Sequence, residues 1–105
     1  MKVVKFGGSS LADAGQIQKA AAIIKAEADR RYVVPSAPGK RFKDDIKVTD
    51  MLYQCYALAE KGEAFATQLA AIKNRYVSIL NGLSMPETLL DEEFVTIGEN
   101  FPFRK

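Results

Sequence analysis

The apolar residues of this chain follow two kinds of spacing. From Val3 to Phe6 and from Tyr32 to Val34 they form short runs, which is typical of strands buried on both faces of a parallel sheet. From Leu11 to about Arg30 they recur at helical spacing, as Ile17, Ala20, Ala21, Ile24 and Ala28. This order predicts a right-handed βαβ unit with parallel strands, the second strand running from Arg31 to Ala37.

The second half of the chain is predicted to be helical. The proline, glycine and dense charge of residues 38–47 indicate a loop. Helices are predicted from Thr49 to about Lys61, with Gly62 as a C-terminal stop, and from about Glu63 to Gly82. A fourth helix is predicted to open within residues 84–87 and to run to about Glu99. The apolar residues expected to face inward are Leu52, Cys55, Leu58, Ala59, Phe65, Leu69, Ile72, Tyr76, Ile79 or Leu80, Leu89, Leu90, Phe94 and Ile97.

The predicted elements form too small a sheet. Two parallel strands do not make a sheet that is stable alone, and they leave strand edges unpaired. We therefore expect residues 1–105 to be a single, incomplete α/β domain. Residues 101–105 continue no helical pattern, and we expect them to be the end of a shortened chain.

Composition excludes several classes of function. The net charge of +2 is too small to favour nucleic acid or an anionic membrane as partner, and neither a signal peptide nor a membrane span is predicted, so we expect a cytoplasmic location. The chain has no histidine and one cysteine, which excludes an internal disulfide, a Cys/His zinc site and His-dependent nucleophilic catalysis. Cys55 is interpreted as a small buried hydrophobic residue, and the acidic residues 91–93 suit the first turn of a helix.

The candidate chemistry lies where the first strand ends. Lys5 precedes Gly7 and Gly8, where the backbone is expected to turn without a Cβ, and Ser10 is a candidate N-cap with Asp13 three residues later. A strand, a glycine turn and a helix start together direct backbone N–H groups at an anion. An ordinary strand-to-helix turn with a solvated lysine fits the same pattern, so both interpretations stay open at this point.

The sequence K-F-G-G-S-S at residues 5–10 resembles the opening signature of the aspartokinases, members of the amino acid kinase superfamily. Two later stretches agree with it. Residues 33–37, V-V-P-S-A, resemble the second strand of that family and its Ser-Ala turn, and residues 47–52, K-V-T-D-M-L, resemble its threonine-bearing helix start. The resemblance covers roughly the first half of the chain.

The resemblance implies a fold and an activity. The fold is the N-terminal part of an amino-acid-kinase-like αβα sandwich, here a β-α-β unit followed by a helical segment. The activity is transfer of the γ-phosphoryl group of ATP, as its Mg²⁺ complex, to the β-carboxylate of L-aspartate, in the biosynthesis of lysine, threonine and methionine. The full-length protein is expected to be a homo-oligomer, and this fragment alone to be inactive.

The resemblance also implies residue roles. Lys5 would act catalytically by neutralising charge on the phosphates of ATP. Gly7 and Gly8 would let backbone N–H groups approach the transferring phosphoryl group, and Ser9 would add a hydroxyl donor. Ser36 and Thr49 are expected to bind the substrate; their alternative roles are those of a turn serine and a helix N-cap threonine. No metal ligand is identified.

Three questions stay open from the sequence. The connection from Ala37 to Val48 is longer than in many aspartokinases, and is either a mobile lid whose basic residues meet the nucleotide or a solvated loop. The chain is alternatively a different kinase of the superfamily, acting on glutamate, acetylglutamate or carbamate. It is also compatible with a non-catalytic helical interaction module that presents residues 49–99 to a partner.

Overall fold

The computed structural model describes residues 2–100. The described residues form two compact units, which meet in the sequence between Thr49 and Asp50. The secondary structure consists of strand β1 (Lys2–Phe6), a 3-10 turn (Gly8–Leu11), helix α1 (Ala14–Lys25), strand β2 (Arg30–Pro35), and helices α2 (Val48–Glu60), α3 (Ala66–Gly82) and α4 (Asp91–Asn100). The predictions for residues 101–105 lie outside the described residues.

Strands β1 and β2 pair in parallel, with α1 between them in the sequence. Val3 is the partner of Tyr32, and Phe6 is the partner of Pro35. The predicted β-α-β unit is therefore confirmed. Strand β2 ends at Pro35, two residues earlier than predicted.

The two strands are not buried on both faces, and this prediction is wrong for the described residues. The register places Val3 and Lys5 beside Tyr32 and Val34 on one face of the sheet. That face is open, since Val3 is 67% exposed and Val34 is 49% exposed. No third strand pairs with β1 or β2 within residues 2–100, so the apolar character of the strands exceeds what this part of the chain covers.

The start of α1 differs from the sequence prediction. Ser10 lies inside the 3-10 turn and is not the N-cap. The cap is Asp13, whose carboxylate accepts a hydrogen bond of 2.9 Å from the backbone N–H of Gln16. The helix ends at Lys25, with Ala26 as its C-cap, and does not reach Arg30, which is the first residue of β2 and pairs with Glu27 at 3.2 Å.

The helices of the second unit are bounded by local turns. Helix α2 stops before Gly62, whose φ of +73° favours glycine, and Glu63 N–H donates to the carbonyl of Leu58 at 2.9 Å. Gly62 is therefore confirmed as the stop. Helix α3 begins at Ala66, later than predicted. Helix α4 begins only at Asp91, because the preceding residues form turns, including Ser84 with a φ of +58°.

Helices α3 and α4 pack together through apolar side chains. The rings of Tyr76 and Phe94 meet edge to face at 5.8 Å, and Lys73 pairs with Asp91 at 3.2 Å. Buried residues of these helices are Ile72, Arg75, Ile79, Leu80 and Phe94, of which Arg75 is the one that the apolar pattern did not predict. The acidic residues 91–93 occupy the first turn of α4, as predicted.

Cys55 in α2 is fully buried, as predicted. Burial raises the pKa of its thiol because it disfavours the thiolate. None of the described helices combines the length and apolar content that crossing a bilayer requires.

Candidate functional site

A cleft of about 410 Å³ opens where the two strands end. Gly8 and Ser9 enter it just after β1, and Ser36 enters it just after β2, because the carboxyl ends of parallel strands meet at one edge of a sheet. The whole lining belongs to the first unit, and comprises Gly8, Ser9, Ser36, Ala37, Pro38, Gly39, Lys40, Lys47 and Thr49.

Backbone contacts join the two loops that form the cleft. The N–H of Ser36 donates to the carbonyl of Phe6 at 3.0 Å, and the N–H of Gly39 donates to the carbonyl of Gly8 at 2.8 Å. A Cβ at Gly39 would lie 2.6 Å from the carbonyl carbon of Gly8, which is too close for any side chain. The two glycines therefore allow a backbone approach that closes one wall of the cleft.

Gly7 does not have the conformational role that the sequence suggested. Its φ of −75° and ψ of 172° suit any residue, and a Cβ there would meet nothing within 4 Å. The turn after β1 therefore does not require glycine at this position. The role of Gly7 in close approach to a phosphoryl group stays a prediction.

Thr49 reaches the cleft from the first turn of α2. The helix begins one residue earlier, at Val48, so the predicted role of Thr49 as N-cap is wrong. The N–H of Val48 donates to the carbonyl of Pro38 at 3.0 Å, which holds the start of α2 against the loop after β2. This contact places Thr49 in the same cleft as Ser36.

The cleft brings together four of the six predicted site residues, Gly8, Ser9, Ser36 and Thr49. Lys5 and Gly7 are not part of its lining. Lys5 is the penultimate residue of β1 and is paired in register with Val34. Its catalytic role stays a prediction.

Five lining residues were not predicted as site residues: Ala37, Pro38, Gly39, Lys40 and Lys47. The sequence pattern assigned Ala37 to the end of the second strand and residues 38–47 to a connecting loop, whose basic residues would meet the nucleotide only if the loop were a lid. The nearness of Gly39 and Lys40 to the end of β2 was an available signal, because residues that follow parallel strands are brought to the same sheet edge, as Ser36 is. The far end of the loop, with Lys47, also returns to this edge. Its return depends on the hydrogen bond between Val48 and Pro38, which no local pattern reveals.

The lining is positively charged. Lys40 and Lys47 are its charged side chains, and it includes no carboxylate. Ser9, Ser36 and Thr49, which carry hydroxyl groups, line the same cleft. Within residues 2–100, no group of acidic or cysteine side chains is arranged to hold a metal ion. The cleft therefore suits an anion, because it combines cations with neutral donors.

The loop between Gly39 and Val48 is held by an ion pair of its own. The Arg41 guanidinium donates to both carboxylate oxygens of Asp45, from Nε at 2.6 Å and from a terminal nitrogen at 2.9 Å. The backbone N–H of Arg41 donates to the same carboxylate at 2.9 Å. These hydrogen bonds hold the pKa of Asp45 well below its usual value.

Residues 1–98 match the family described as the amino acid kinase family. The β-α-β unit and the cleft at its carboxyl edge agree with that match, and the chain belongs to this family.

Two aspartokinases are among the proteins that this chain is similar to. The chain is 43% identical over 93 residues to aspartokinase 3 of Bacillus subtilis (strain 168), covering 88% of this chain and 20% of that protein. It is 34% identical over 90 residues to lysine-sensitive aspartokinase 3 of Escherichia coli (strain K12), covering 86% of this chain and 18% of that protein. The resemblance to aspartokinases predicted from the sequence is confirmed, and the chain spans about a fifth of the length of these relatives.

Crystal structures of two aspartate kinases are among the similar solved structures. The aspartate kinase of Clostridium acetobutylicum, described as allosteric, matches with a TM-score of 0.87 and 41% identity, over 93% of this chain and 22% of that chain. The E. coli aspartokinase III, in complex with aspartate and ADP, matches with a TM-score of 0.61 and 34% identity, over 93% of this chain and 20% of that chain. The predicted fold class is thereby confirmed.

Proposed function

We propose that this chain is the N-terminal part of an aspartate kinase, which transfers the γ-phosphoryl group of ATP to the β-carboxylate of L-aspartate. The observation that carries the proposal is the cationic, hydroxyl-lined cleft at the carboxyl edge of the β-α-β unit. An ordinary strand-to-helix turn does not require Ser9, Ser36 and Thr49 to converge in one cleft. The complex of the similar E. coli protein with aspartate and ADP supports the same substrates here.

Phosphoryl transfer to a carboxylate needs positioning and charge neutralisation more than a protein nucleophile, since the acceptor oxygen is itself nucleophilic. Ser36 and Thr49 would hold the carboxylate through their hydroxyl groups. The backbone at Gly7 and Gly8, with the hydroxyl of Ser9, would donate to the transferring phosphoryl group. Lys5 would neutralise charge as the bond to the leaving group breaks.

The remaining parts of the proposal concern the whole protein. Mg²⁺ would enter bound to the phosphate groups of ATP. We place the whole protein in the cytoplasm, as a homo-oligomer that takes part in lysine, threonine and methionine biosynthesis. We expect the 105-residue chain to lack turnover when assayed alone.

A chimera tests this function. Residues 1–98 of this chain would replace the matching segment of the B. subtilis aspartokinase 3, and aspartyl phosphate would be trapped with hydroxylamine. We expect ATP-dependent turnover with aspartate, and a loss of at least about 100-fold in the Lys5→Ala chimera. Preference for glutamate, acetylglutamate or carbamate in a substrate panel would instead identify another kinase of the family. A folded chimera without any phosphoryl transfer would refute the proposal.

A further inference from the structure

We propose that Lys40 and Lys47 form a cation pair that binds the anionic oxygens of the ligand in the cleft, and that the Arg41–Asp45 ion pair positions them. This inference deepens the proposed function and rests on it. The ligand chemistry is a phosphoryl or carboxylate group with closely spaced oxygens. Both lysines line the same cleft as Ser36 and Thr49.

The two lysines lie at the two ends of one loop. Lys40 follows Gly39, whose N–H is bonded to the carbonyl of Gly8, and Lys47 precedes Val48, whose N–H is bonded to the carbonyl of Pro38. Both backbone anchors therefore lie directly beside a lysine. The side chains are long, but the starting points of both are fixed against the walls of the cleft.

The other charged groups of the loop do not compete for this role. Arg41 is held by Asp45 in a bidentate ion pair, so its charge is already compensated within the loop. Within residues 2–100, neither Lys40 nor Lys47 forms an ion pair with a carboxylate. Their two charges therefore remain available to an anion.

The Arg41–Asp45 pair lies between the two lysines in the loop and holds that part of the loop together. The Asp45 carboxylate accepts from both the backbone and the guanidinium of Arg41, and the N–H of Asp45 donates to the carbonyl of Phe42 at 3.1 Å. These bonds close the loop across its middle, between Lys40 and Lys47. Asp45 is accordingly a positioning residue, because it acts on the ligand through the two lysines.

Binding to the 105-residue chain tests the inference. Inorganic tripolyphosphate and L-aspartate would be titrated separately at constant ionic strength, with backbone NMR shifts as the signal, so that the two sources of anionic oxygens are distinguished. We expect Lys40→Gln and Lys47→Gln each to weaken binding of at least one probe by about three- to fivefold, the range of partly exposed ion pairs.

Lys43→Gln is the matched control, because Lys43 belongs to the same loop and does not line the cleft. We expect its affinity to stay within about twofold of the original chain, which is less than one partly exposed ion pair contributes. An equal loss in the control, or no saturable binding of either probe to the folded original chain, would overturn the inference.

Asp45→Asn tests the positioning role. It should weaken probe binding although it changes no lining residue, and the exchanged pair Arg41→Asp with Asp45→Arg should restore part of the affinity. A lowered melting temperature with unchanged affinity would reduce Asp45 to a structural role and overturn that part of the inference.

The chimera separates this inference from the proposed function. A turnover assay in which Lys40→Gln and Lys47→Gln leave KM and kcat unchanged would refute the cation pair and leave the kinase activity standing. The opposite result is that probe binding depends on the two lysines but the folded chimera transfers no phosphoryl group. That result would refute the proposed kinase activity and leave the cation pair standing.

Discussion

At the scale of single residues, the cleft depends most on the contact between Gly8 and Gly39. Their backbones approach so closely that a Cβ on Gly39 would lie within 3 Å of three backbone atoms. Backbone cannot move aside as a flexible side chain can. The contact also joins the loop after β1 to the loop after β2, so a disturbance there displaces both walls.

We predict that Gly39→Ala destabilises the chain by about 1–3 kcal/mol, the usual cost of overpacking. The measurement is the free energy of unfolding in denaturant. Gly15→Ala is the control, because its Cβ would meet only the Asp13 side chain at an ordinary 3.5 Å and would favour the helix. Equal stability of the two variants would contradict the tight backbone contact.

Gly7 should behave in the opposite way. A Cβ there meets no neighbour and the backbone angles suit alanine, so Gly7→Ala should change the free energy of unfolding by less than about 0.5 kcal/mol. If Gly7 keeps the backbone accessible to a phosphoryl group, the same variant should bind tripolyphosphate more weakly in the NMR titration. Unchanged affinity would remove Gly7 from the proposed site.

At the scale of elements, the loop from Pro38 to Val48 decides the shape of the cleft. Its ends are tied by the bond from Val48 to Pro38, and its middle is tied by the Arg41–Asp45 pair. The Arg41 guanidinium also lies 5.6 Å from the centroid of the Phe42 ring. Such internal bonds favour one conformation of the loop.

The ion pair predicts a pH dependence. Hydrogen bonds from Arg41 lower the pKa of Asp45 below its ordinary 3.8. The pair therefore stabilises the loop fully above the unfolded value near 4, and this contribution is lost as pH falls through the lower, folded value. We expect the carboxyl ¹³C signal of Asp45 to titrate below 3.8, and to titrate higher in Arg41→Gln. A signal that titrates at or above 3.8 in the original chain would disprove the pairing.

At the scale of the whole molecule, the sheet has an open apolar face. Val3, Tyr32 and Val34 lie on it and are 67%, 55% and 49% exposed. The unbroken apolar runs of β1 and β2 are typical of strands in sheets that are covered on both faces. In the proposed function, the rest of an aspartate kinase would cover this face.

The substitution Val3→Thr tests whether this face is covered in the longer protein. In the 105-residue chain it should cost less than about 0.5 kcal/mol, because the side chain is largely exposed. In the chimera with the B. subtilis aspartokinase 3 the same change should cost about 1–2 kcal/mol, as expected for a polar group placed in a buried strand. The measurement is the free energy of unfolding of each pair. Equal costs would indicate that the face stays open in the longer protein.

Local pattern was sufficient for several features of this chain. The β-α-β order, the stop at Gly62 and the burial of Cys55 each follow from residue type and spacing. Local pattern failed to locate the start of α1, because Ser10 and Asp13 are both good N-caps. It also failed to locate the start of α4, because turns precede Asp91. Competing local signals of similar strength are resolved by neighbouring structure.

The sequence by itself determined the family and the four predicted residues that meet at the sheet edge, because a motif and a parallel strand order leave little freedom there. Only the tertiary structure decided that Gly39, Lys40 and Lys47 join them. Their place depends on two backbone hydrogen bonds, one from Gly39 to Gly8 and one from Val48 to Pro38 at the other end of the loop. Apart from proline, every residue carries the same backbone N–H and C=O groups, so local pattern alone does not identify which of them will pair across a loop.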